Sequence, residues 1–142
     1  MRKFTAVLLT LCLLLSSVVP SFAAVSVDNF EDVSSSDWFY TYVKWGVDND
    51  YFAGTSATTF SPNDPATREQ VVKVFANYAG ETKLDNNVSP FDDVESGRWS
   101  AGAIKWAVEK DIAAGVGGGK FNPTGDMIRQ DIAVYITNFA KW

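Results

Sequence analysis

Side chains that could bind a ligand occur in matched pairs along this chain. Arg68 and Arg129 each precede an apolar stretch with helical spacing, and Trp38 and Trp99 stand at the start of another. An arginine presents a planar fork of donors that fits a carboxylate better than a lysine does, and a helix N-terminus also favours an anion. An indole offers a flat apolar surface with one polar edge, which suits stacking on a sugar. The pairs favour binding of an anionic, sugar-like ligand.

The charged residues also have a structural interpretation, which stays open at this point. Arg68 and Arg129 could form salt bridges, with Asp32 or Asp93 as partners. Lys120 could reach a ligand anion, or it could be an exposed, solvated lysine.

The tryptophans also have both a ligand-binding and a structural interpretation. A position on a helix face favours burial of Trp38 and Trp99 in the core, against the sugar-stacking role. We predict that Trp45 and Trp106, further along the same helices, are core residues.

Composition excludes several classes of protein. The 142 residues contain no histidine, and Lys+Arg number 12 against Asp+Glu 17, for a net charge of −5. The acidic balance disfavours nucleic acid, and the absence of histidine removes His-based acid–base chemistry, Ser-His and Cys-His pairs and the usual zinc sites. Asp92 and Asp93 are adjacent, and adjacent carboxylates rarely converge on one bond. We therefore predict a protein that is not an enzyme and has neither cofactor nor metal.

Residues 1–23 resemble a secretory signal peptide. Arg2 and Lys3 precede an apolar run, and Ser21-Phe22-Ala23 supplies small residues for cleavage after Ala23. The alternative, a membrane anchor, requires a longer apolar run. Loss of Arg2 and Lys3 takes the net charge from −5 to −7, and loss of Cys12 removes the only cysteine, so no disulfide can form.

The strongest pattern is an internal repeat with an offset of 61 residues. Phe30-Glu31-Asp32-Val33 matches Phe91-Asp92-Asp93-Val94, and the same offset without a gap relates many later residues. These include Trp38 and Trp99, Lys44-Trp45 and Lys105-Trp106, Phe60 and Phe121, Pro62 and Pro123, and Arg68 and Arg129. We assign repeat 1 to residues 24–81, a polar linker to 82–90 and repeat 2 to 91–142.

The spacing of apolar residues in each repeat predicts two helices separated by a loop. The first helices are expected over 37–48 and 98–110, with apolar faces wide enough for packing on two sides, and Gly54 and Gly115 are expected at the following turns. In repeat 1 the second helix begins with a capping box, Thr67-Arg68-Glu69-Gln70, and the apolar face is predicted at four positions: Val71, Val74, Phe75 and Tyr78. In repeat 2 the cap position is Ile128, which cannot cap, so this start is expected to be looser.

The ordered set of motifs resembles the S-layer homology (SLH) family. Repeat 1 carries Phe30-Glu31-Asp32-Val33, Trp38, Phe52-Ala53-Gly54, Phe60-Ser61-Pro62 and Thr67-Arg68-Glu69-Gln70. Repeat 2 carries Phe91-Asp92-Asp93-Val94, Trp99, Ile112-Ala113-Ala114-Gly115, Phe121-Asn122-Pro123 and Arg129-Gln130. The resemblance implies a mainly α fold with repeats arranged as a pseudo-threefold spindle. It also implies non-catalytic anchoring to the cell envelope by binding pyruvylated secondary cell-wall polysaccharide.

In such a module the arginine of the T-R motif meets the acidic sugar in a groove. The candidate ligand-binding residues are Arg68, Arg129, Trp38, Trp99, Glu69 and Lys120, and the expected location is the cell wall and cell surface, or S-layer, of the secreting cell. The chain has two repeats where the family usually has three. The alternative function is therefore a protein-interaction module that completes an SLH trimer with itself or another chain.

Overall fold

Residues 25–142 fold as four α-helices joined by long loops. A computed structural model describes residues 25–142. Helix α1 spans Tyr40–Asp48, α2 Arg68–Tyr78, α3 Ala101–Glu109 and α4 Arg129–Lys141, after one 3₁₀ turn at Val27–Asn29. Within the described range no residue lies in a named β-strand, so the mainly α prediction is confirmed. The predicted signal peptide, 1–23, lies outside the described residues.

Helices α1 and α3 begin three residues later than predicted. The preceding residues form a turn, in which the Tyr40 amide donates to the Asp37 carbonyl and the Ala101 amide to the Arg98 carbonyl. The Asp37 carboxylate also accepts the Ser34 amide at 2.8 Å, which stabilises the turn before α1. Trp38 and Trp99 therefore lie in this turn and not on a helix.

The two second helices begin as the sequence predicts. Thr67 caps α2 by accepting the Gln70 amide, and the Gln70 side chain accepts the Thr67 amide at 2.8 Å, so the capping box is complete. Ile128 stands at the N-cap of α4 and provides no side-chain cap. Asp131 lies in the first turn of α4, where its charge favours the helix N-terminus.

The main core is built around α3, which is buried on most of its surface. α2 packs directly against α3, and the loop after α3 and helix α4 complete the same cluster. α1 packs instead on the 3₁₀ turn, in a small separate cluster of four buried residues: Val27, Phe30, Val43 and Val47. The two-sided packing expected of both first helices is therefore confirmed for α3 and wrong for α1.

The difference between α1 and α3 appears most clearly in their equivalent tryptophans. Trp106 is 5% exposed, as predicted, but Trp45 is 56% exposed, so its assignment to the core was wrong. The physical reason is that α2 covers α3, whereas among the described residues no helix covers the equivalent face of α1.

The buried face of α2 also differs from the prediction. Val72 and Ala76 are completely buried, whereas Val71 and Phe75 are partly buried and Tyr78 is exposed. The sequence pattern identified the apolar stripe, but the buried face of α2 is rotated from that stripe and includes the charged residues Arg68 and Glu69 at the start of the helix.

Gly54 and Gly115 are required for close approach and not for a left-handed turn. A Cβ on Gly54 would lie 2.5 Å from the Phe30 ring, and a Cβ on Gly115 would lie 2.5 Å from the Phe91 ring. The left-handed residues after the first helices are Asp50 and Asp111, with φ of 59° and 56°. The turn predicted at the glycines therefore lies four residues earlier.

Candidate ligand-binding site between the repeats

The aspartate of each F-x-D-V motif holds the loop of its own repeat. Asp93 accepts the Phe121 and Asn122 amides, both at 2.8 Å. Burial raises the pKa of Asp93, but these amide bonds outweigh burial and hold the pKa below its ordinary value. Asp32 does the same in repeat 1, where the amide of Phe60 is the largest cause of its lowered pKa. These aspartates are therefore loop clamps, and the expectation that they pair with the arginines was wrong.

Arg68 extends from repeat 1 into the loop of repeat 2. Its side chain is buried, with Nε donating to the Phe121 carbonyl at 2.9 Å and Nη2 donating to the Ala114 carbonyl at 2.8 Å. The guanidinium lies 4.7 Å from the centre of the Phe121 ring and 5.5 Å from that of Tyr135. Its Nη1 lies 3.8 Å from the Asp131 carboxylate. Two of its donors are thus used for structure, and the Nη1 edge faces acidic surroundings.

Backbone hydrogen bonds hold the two repeats in register around Arg68. The Arg68 amide donates to the Gly125 carbonyl at 2.9 Å, and the Glu69 amide donates to the Pro123 carbonyl at 3.0 Å. In the opposite direction the Met127 amide donates to the Ala66 carbonyl at 2.9 Å. The free amides at the start of α2 are therefore satisfied by the neighbouring repeat and not by a ligand.

Glu69 lies beside Arg68 and forms a second link to repeat 2. Its carboxylate accepts two hydrogen bonds from Arg98, each at 2.7 Å, and one from the Ser100 hydroxyl at 2.5 Å. Burial raises the pKa of Glu69, but the bonds from Arg98 and Ser100 and the charge of Arg98 bring the pKa below its ordinary value. Glu69 is thus a buried ion-pair partner between the repeats.

A groove of about 340 Å³ opens at this junction. Its polar walls combine one cation with acidic and neutral groups: Arg68, Asp111, Asp131, Tyr135 and Asn138. Tyr135 is buried, and its hydroxyl has no hydrogen-bond partner among the described residues. Burial raises the pKa of Tyr135, so the phenol stays protonated at neutral pH. The groove is therefore lined by a buried phenol, a cation and two carboxylates.

The structure does not bring all of the predicted site residues together. Arg68 lies in the groove wall and Glu69 beside it, whereas Arg129 is exposed at the start of α4 and does not line the groove. Trp38 is 84% exposed in the turn before α1, and Trp99 is about half exposed in the equivalent turn. Lys120 is exposed in the loop of repeat 2.

Sequence reasoning missed most of the polar groove wall. Tyr135 was not singled out from the sequence, although its equivalent in repeat 1 is Val74 and the hydroxyl is therefore new at this position. Asn138 repeats Asn77, and each donates through its side-chain amide to the chain after the first helix of its own repeat. A departure from the repeat, as at Tyr135, was the available signal.

Across 25–142 no three or more acidic, cysteine or histidine side chains group in a way that could hold a metal ion. None of the four helices combines the length and the apolar character that a membrane-spanning segment needs.

Comparison with known families identifies the class of protein that this fold and junction define. The model of the S-layer homology domain matches residues 29–72 and 90–133, which together make up well over half of the chain. The chain belongs to the S-layer homology family and contains two copies of its domain. Domains of this family are non-catalytic modules of the cell surface and the S-layer.

Individual relatives carry the same module within much longer proteins. An endoglucanase of Bacillus sp. strain KSM-635 is 30% identical over 93% of this chain, but the match covers 14% of the endoglucanase. The surface-layer 125 kDa protein of Lysinibacillus sphaericus is 33% identical over 75% of this chain and 9% of its own length. A cellulosome-anchoring protein of Acetivibrio thermocellus is 28% identical over 64% of this chain and 21% of its own length.

Proposed function

We propose that this protein is a non-catalytic anchor that binds an anionic, pyruvylated secondary cell-wall polysaccharide in the groove between its repeats. The observation that carries the proposal is Tyr135, which lines the same groove as Arg68 and whose buried hydroxyl has no partner among residues 25–142. A buried donor without a partner costs free energy, and a ligand that accepts its hydrogen bond removes that cost.

The composition of the groove fits a sugar acid better than a simple anion. Asp111 and Asp131 can accept hydrogen bonds from sugar hydroxyls, and they would repel a small, densely charged ion such as phosphate. The Nη1 edge of Arg68 is not used by the loop carbonyls, and it is the group available to pair with a pyruvyl carboxylate. A ligand with hydroxyls and one carboxylate could form hydrogen bonds with Asp111, Asp131 and Arg68 together.

The remaining predicted ligand-binding residues have lesser roles in this proposal. Trp38 and Trp99 are exposed enough to stack on a sugar at the surface, outside the groove. Arg129 and Lys120 are exposed and contribute positive charge near the surface of repeat 2. Glu69 positions the repeats through Arg98 and contributes to the ligand site indirectly.

The test is co-sedimentation of the exported protein with purified wall sacculi, before and after mild acid removes ketal-linked pyruvate. We expect binding to intact sacculi and its loss after acid treatment. Tyr135→Phe removes only the hydroxyl, so it should weaken binding roughly tenfold, as expected for one lost hydrogen bond of about 1.5 kcal/mol.

Tyr51→Phe is the matched control, because it removes a tyrosine hydroxyl outside the groove and should bind as the unchanged protein does. Circular dichroism checks that both variants fold. Equal binding to treated and untreated sacculi would refute the pyruvylated ligand, and unchanged binding by Tyr135→Phe would refute this groove as the site.

We also propose that export removes residues 1–23 and leaves repeat 1 (24–81), linker 82–90 and repeat 2 (91–142) on the surface. Leu84 of the linker packs on the main core, and the Asn86 side chain accepts the Gly102 amide at 2.9 Å. These contacts support a linker that is part of the folded module. The intact mass of the exported protein tests the cleavage position.

A further inference from the structure

The junction between the repeats has a donor side and an acceptor side, and the chain carries an unused copy of each. The donor side is the start of α2 with Arg68, and the acceptor side is the loop of repeat 2. The equivalent of Arg68 is the exposed Arg129, and the equivalents of its two acceptor carbonyls belong to Phe60 and Ala53 in repeat 1. We propose that a second copy of this chain docks here, with its α4 on α1 and the repeat 1 loop of the first copy.

The free donor side is the face of α4 that corresponds to the buried face of α2. On α2 this face contains four buried residues: Arg68, Glu69, Val72 and Ala76. Their equivalents on α4 are all exposed: Arg129, Gln130, Ala133 and Thr137. The neighbouring Ile136 is 53% exposed, whereas its equivalent Phe75 packs against the core. A face of small, polar and apolar residues with a terminal arginine is thus left exposed.

The free acceptor side is the outer face of α1. Tyr42 is 69% exposed and Trp45 is exposed as well, whereas their equivalents Ala103 and Trp106 are buried in the core that includes α2. The loop beside α1 is already in the receiving conformation. Asp32 clamps Phe60 and the following amide as Asp93 clamps the repeat 2 loop, and both loops have a left-handed residue next, with φ of 58°.

The two free sides match each other in charge. At the internal junction Glu69 pairs with Arg98. At the proposed junction the equivalent positions carry Gln130 and Asp37. A glutamate at 130 would face a carboxylate, whereas the Gln130 amide can donate to it. Compared with the internal junction, the donor side has glutamine in place of glutamate, and the acceptor side has aspartate in place of arginine.

The two free sides also match in size. Val72 of α2 and Ala103 of α3 belong to one buried cluster. The equivalent positions carry Ala133 on α4 and Tyr42 on α1, so the proposed junction would combine a smaller donor residue with a larger acceptor residue. Because the complementary changes lie within this sequence, they favour a second copy of the same chain as the partner.

The contact is heterologous, because different surfaces of the two copies meet. Each assembly therefore ends in one free donor side and one free acceptor side unless it closes. The proposal goes beyond wall binding and does not require it, because the junction forms without a glycan. It also gives Arg129 the environment that Arg68 has, next to a second groove.

Sedimentation velocity of the exported protein, without any glycan, tests the proposal over a range of concentrations. We expect reversible, concentration-dependent association. Arg129→Glu on the donor side and Tyr42→Asp on the acceptor side should each lower the association constant by at least about tenfold. Both residues are exposed, so circular dichroism should be unchanged. Lys83→Glu, an exposed charge reversal in the linker, is the matched control and should associate normally.

Mixing the two variants distinguishes this contact from other modes of association. Arg129→Glu retains a working acceptor side and Tyr42→Asp a working donor side, so an equimolar mixture should form a heterodimer and nothing larger. A mixture that remains monomeric would overturn the proposal, as would an unchanged protein that is monomeric at every concentration.

A charge exchange provides a second test at the same junction. Gln130→Glu alone should weaken association because it faces Asp37. Adding Asp37→Arg restores the Glu69–Arg98 arrangement between copies and should strengthen association beyond that of the single variant. Independent effects of the two changes would contradict the predicted contact.

Discussion

Glu69 and Arg98 join the two repeats through two parallel hydrogen bonds, each 2.7 Å long. Glu69 comes from the first turn of α2, and Arg98 comes from the turn that precedes α3. The Ser100 hydroxyl donates a third bond to the same carboxylate. Because this cluster joins residues about 30 positions apart along the chain, the repeats should unfold together and not as separate domains.

Breaking this pair should destabilise the protein strongly. Glu69→Ala leaves Arg98 without its partner and Ser100 buried without an acceptor, and we expect a loss of about 2 to 3 kcal/mol in the free energy of unfolding. Urea denaturation monitored by tryptophan fluorescence measures it. The exposed Lys105–Glu109 pair is the control, because Glu109→Ala should cost less than about 0.5 kcal/mol. Equal losses at the two sites would contradict the role of the Glu69 pair.

The same carboxylate makes stability depend on pH in the acid range. The pKa of Glu69 is lower in the folded protein than its ordinary value of 4.5, so the folded state binds this proton less readily than the unfolded state. The stabilisation is complete above 4.5 and is lost as the pH falls through the lowered folded value. Asp32 and Asp93, whose pKa values are also lowered, act in the same direction.

We therefore expect the urea midpoint to fall as the pH is lowered below 4.5, and to fall less steeply in Glu69→Gln. Asp85→Asn, in the exposed part of the linker, provides the control and should keep the original pH profile. Identical profiles for Glu69→Gln and the unchanged protein would show that Glu69 does not carry this dependence.

Arg68 and Arg129 occupy equivalent positions in the two repeats, but Arg68 is buried and Arg129 is exposed. Arg68→Ala removes the donors to the Phe121 and Ala114 carbonyls, and we expect it to cost about 2 to 4 kcal/mol. Arg129→Ala should change the stability of the monomer by less than about 0.5 kcal/mol because the side chain is exposed. Measurements in urea at low protein concentration avoid any contribution from association. Similar losses for the two variants would contradict the difference in burial.

The sequence predicts the features that each repeat determines by itself. The offset of 61 residues, the capping box at Thr67, the uncapped Ile128 and the mainly α fold all follow from local chemistry, and the structure agrees. Trp45 and Arg129 were treated like Trp106 and Arg68 because the repeats look equivalent. Their environments differ because a helix of repeat 1 covers repeat 2, and a single-repeat pattern contains no information about which neighbour is present.

The loop clamps should differ in importance although their hydrogen bonds are alike. Asp93 holds the loop whose Phe121 carbonyl receives Arg68, whereas Asp32 holds the equivalent loop of repeat 1, which receives no arginine from the described residues. We expect Asp93→Ala to lower the urea midpoint more than Asp32→Ala does. An equal or opposite order would show that the clamps act only within their own repeats.

Wall binding should become stronger, and not weaker, when salt is added at moderate concentrations. The chain has a net charge of −5, and its groove contains two carboxylates beside Arg68, so a polyanionic glycan is repelled at long range. Screening removes this repulsion first, because the Debye length of about 30 Å at 0.01 M falls to about 10 Å at 0.1 M. The short contact to Arg68 lies in a buried site and is screened less.

Co-sedimentation with sacculi in increasing sodium chloride measures this dependence, and the bound fraction should rise between these two concentrations. Asp131→Asn reduces the repulsion beside Arg68, so it should raise binding most at low salt and flatten the dependence. Asp85→Asn makes the same charge change in the linker and serves as its control. Binding that falls steadily with salt would instead indicate that exposed cations such as Lys120 and Arg129 provide most of the attraction.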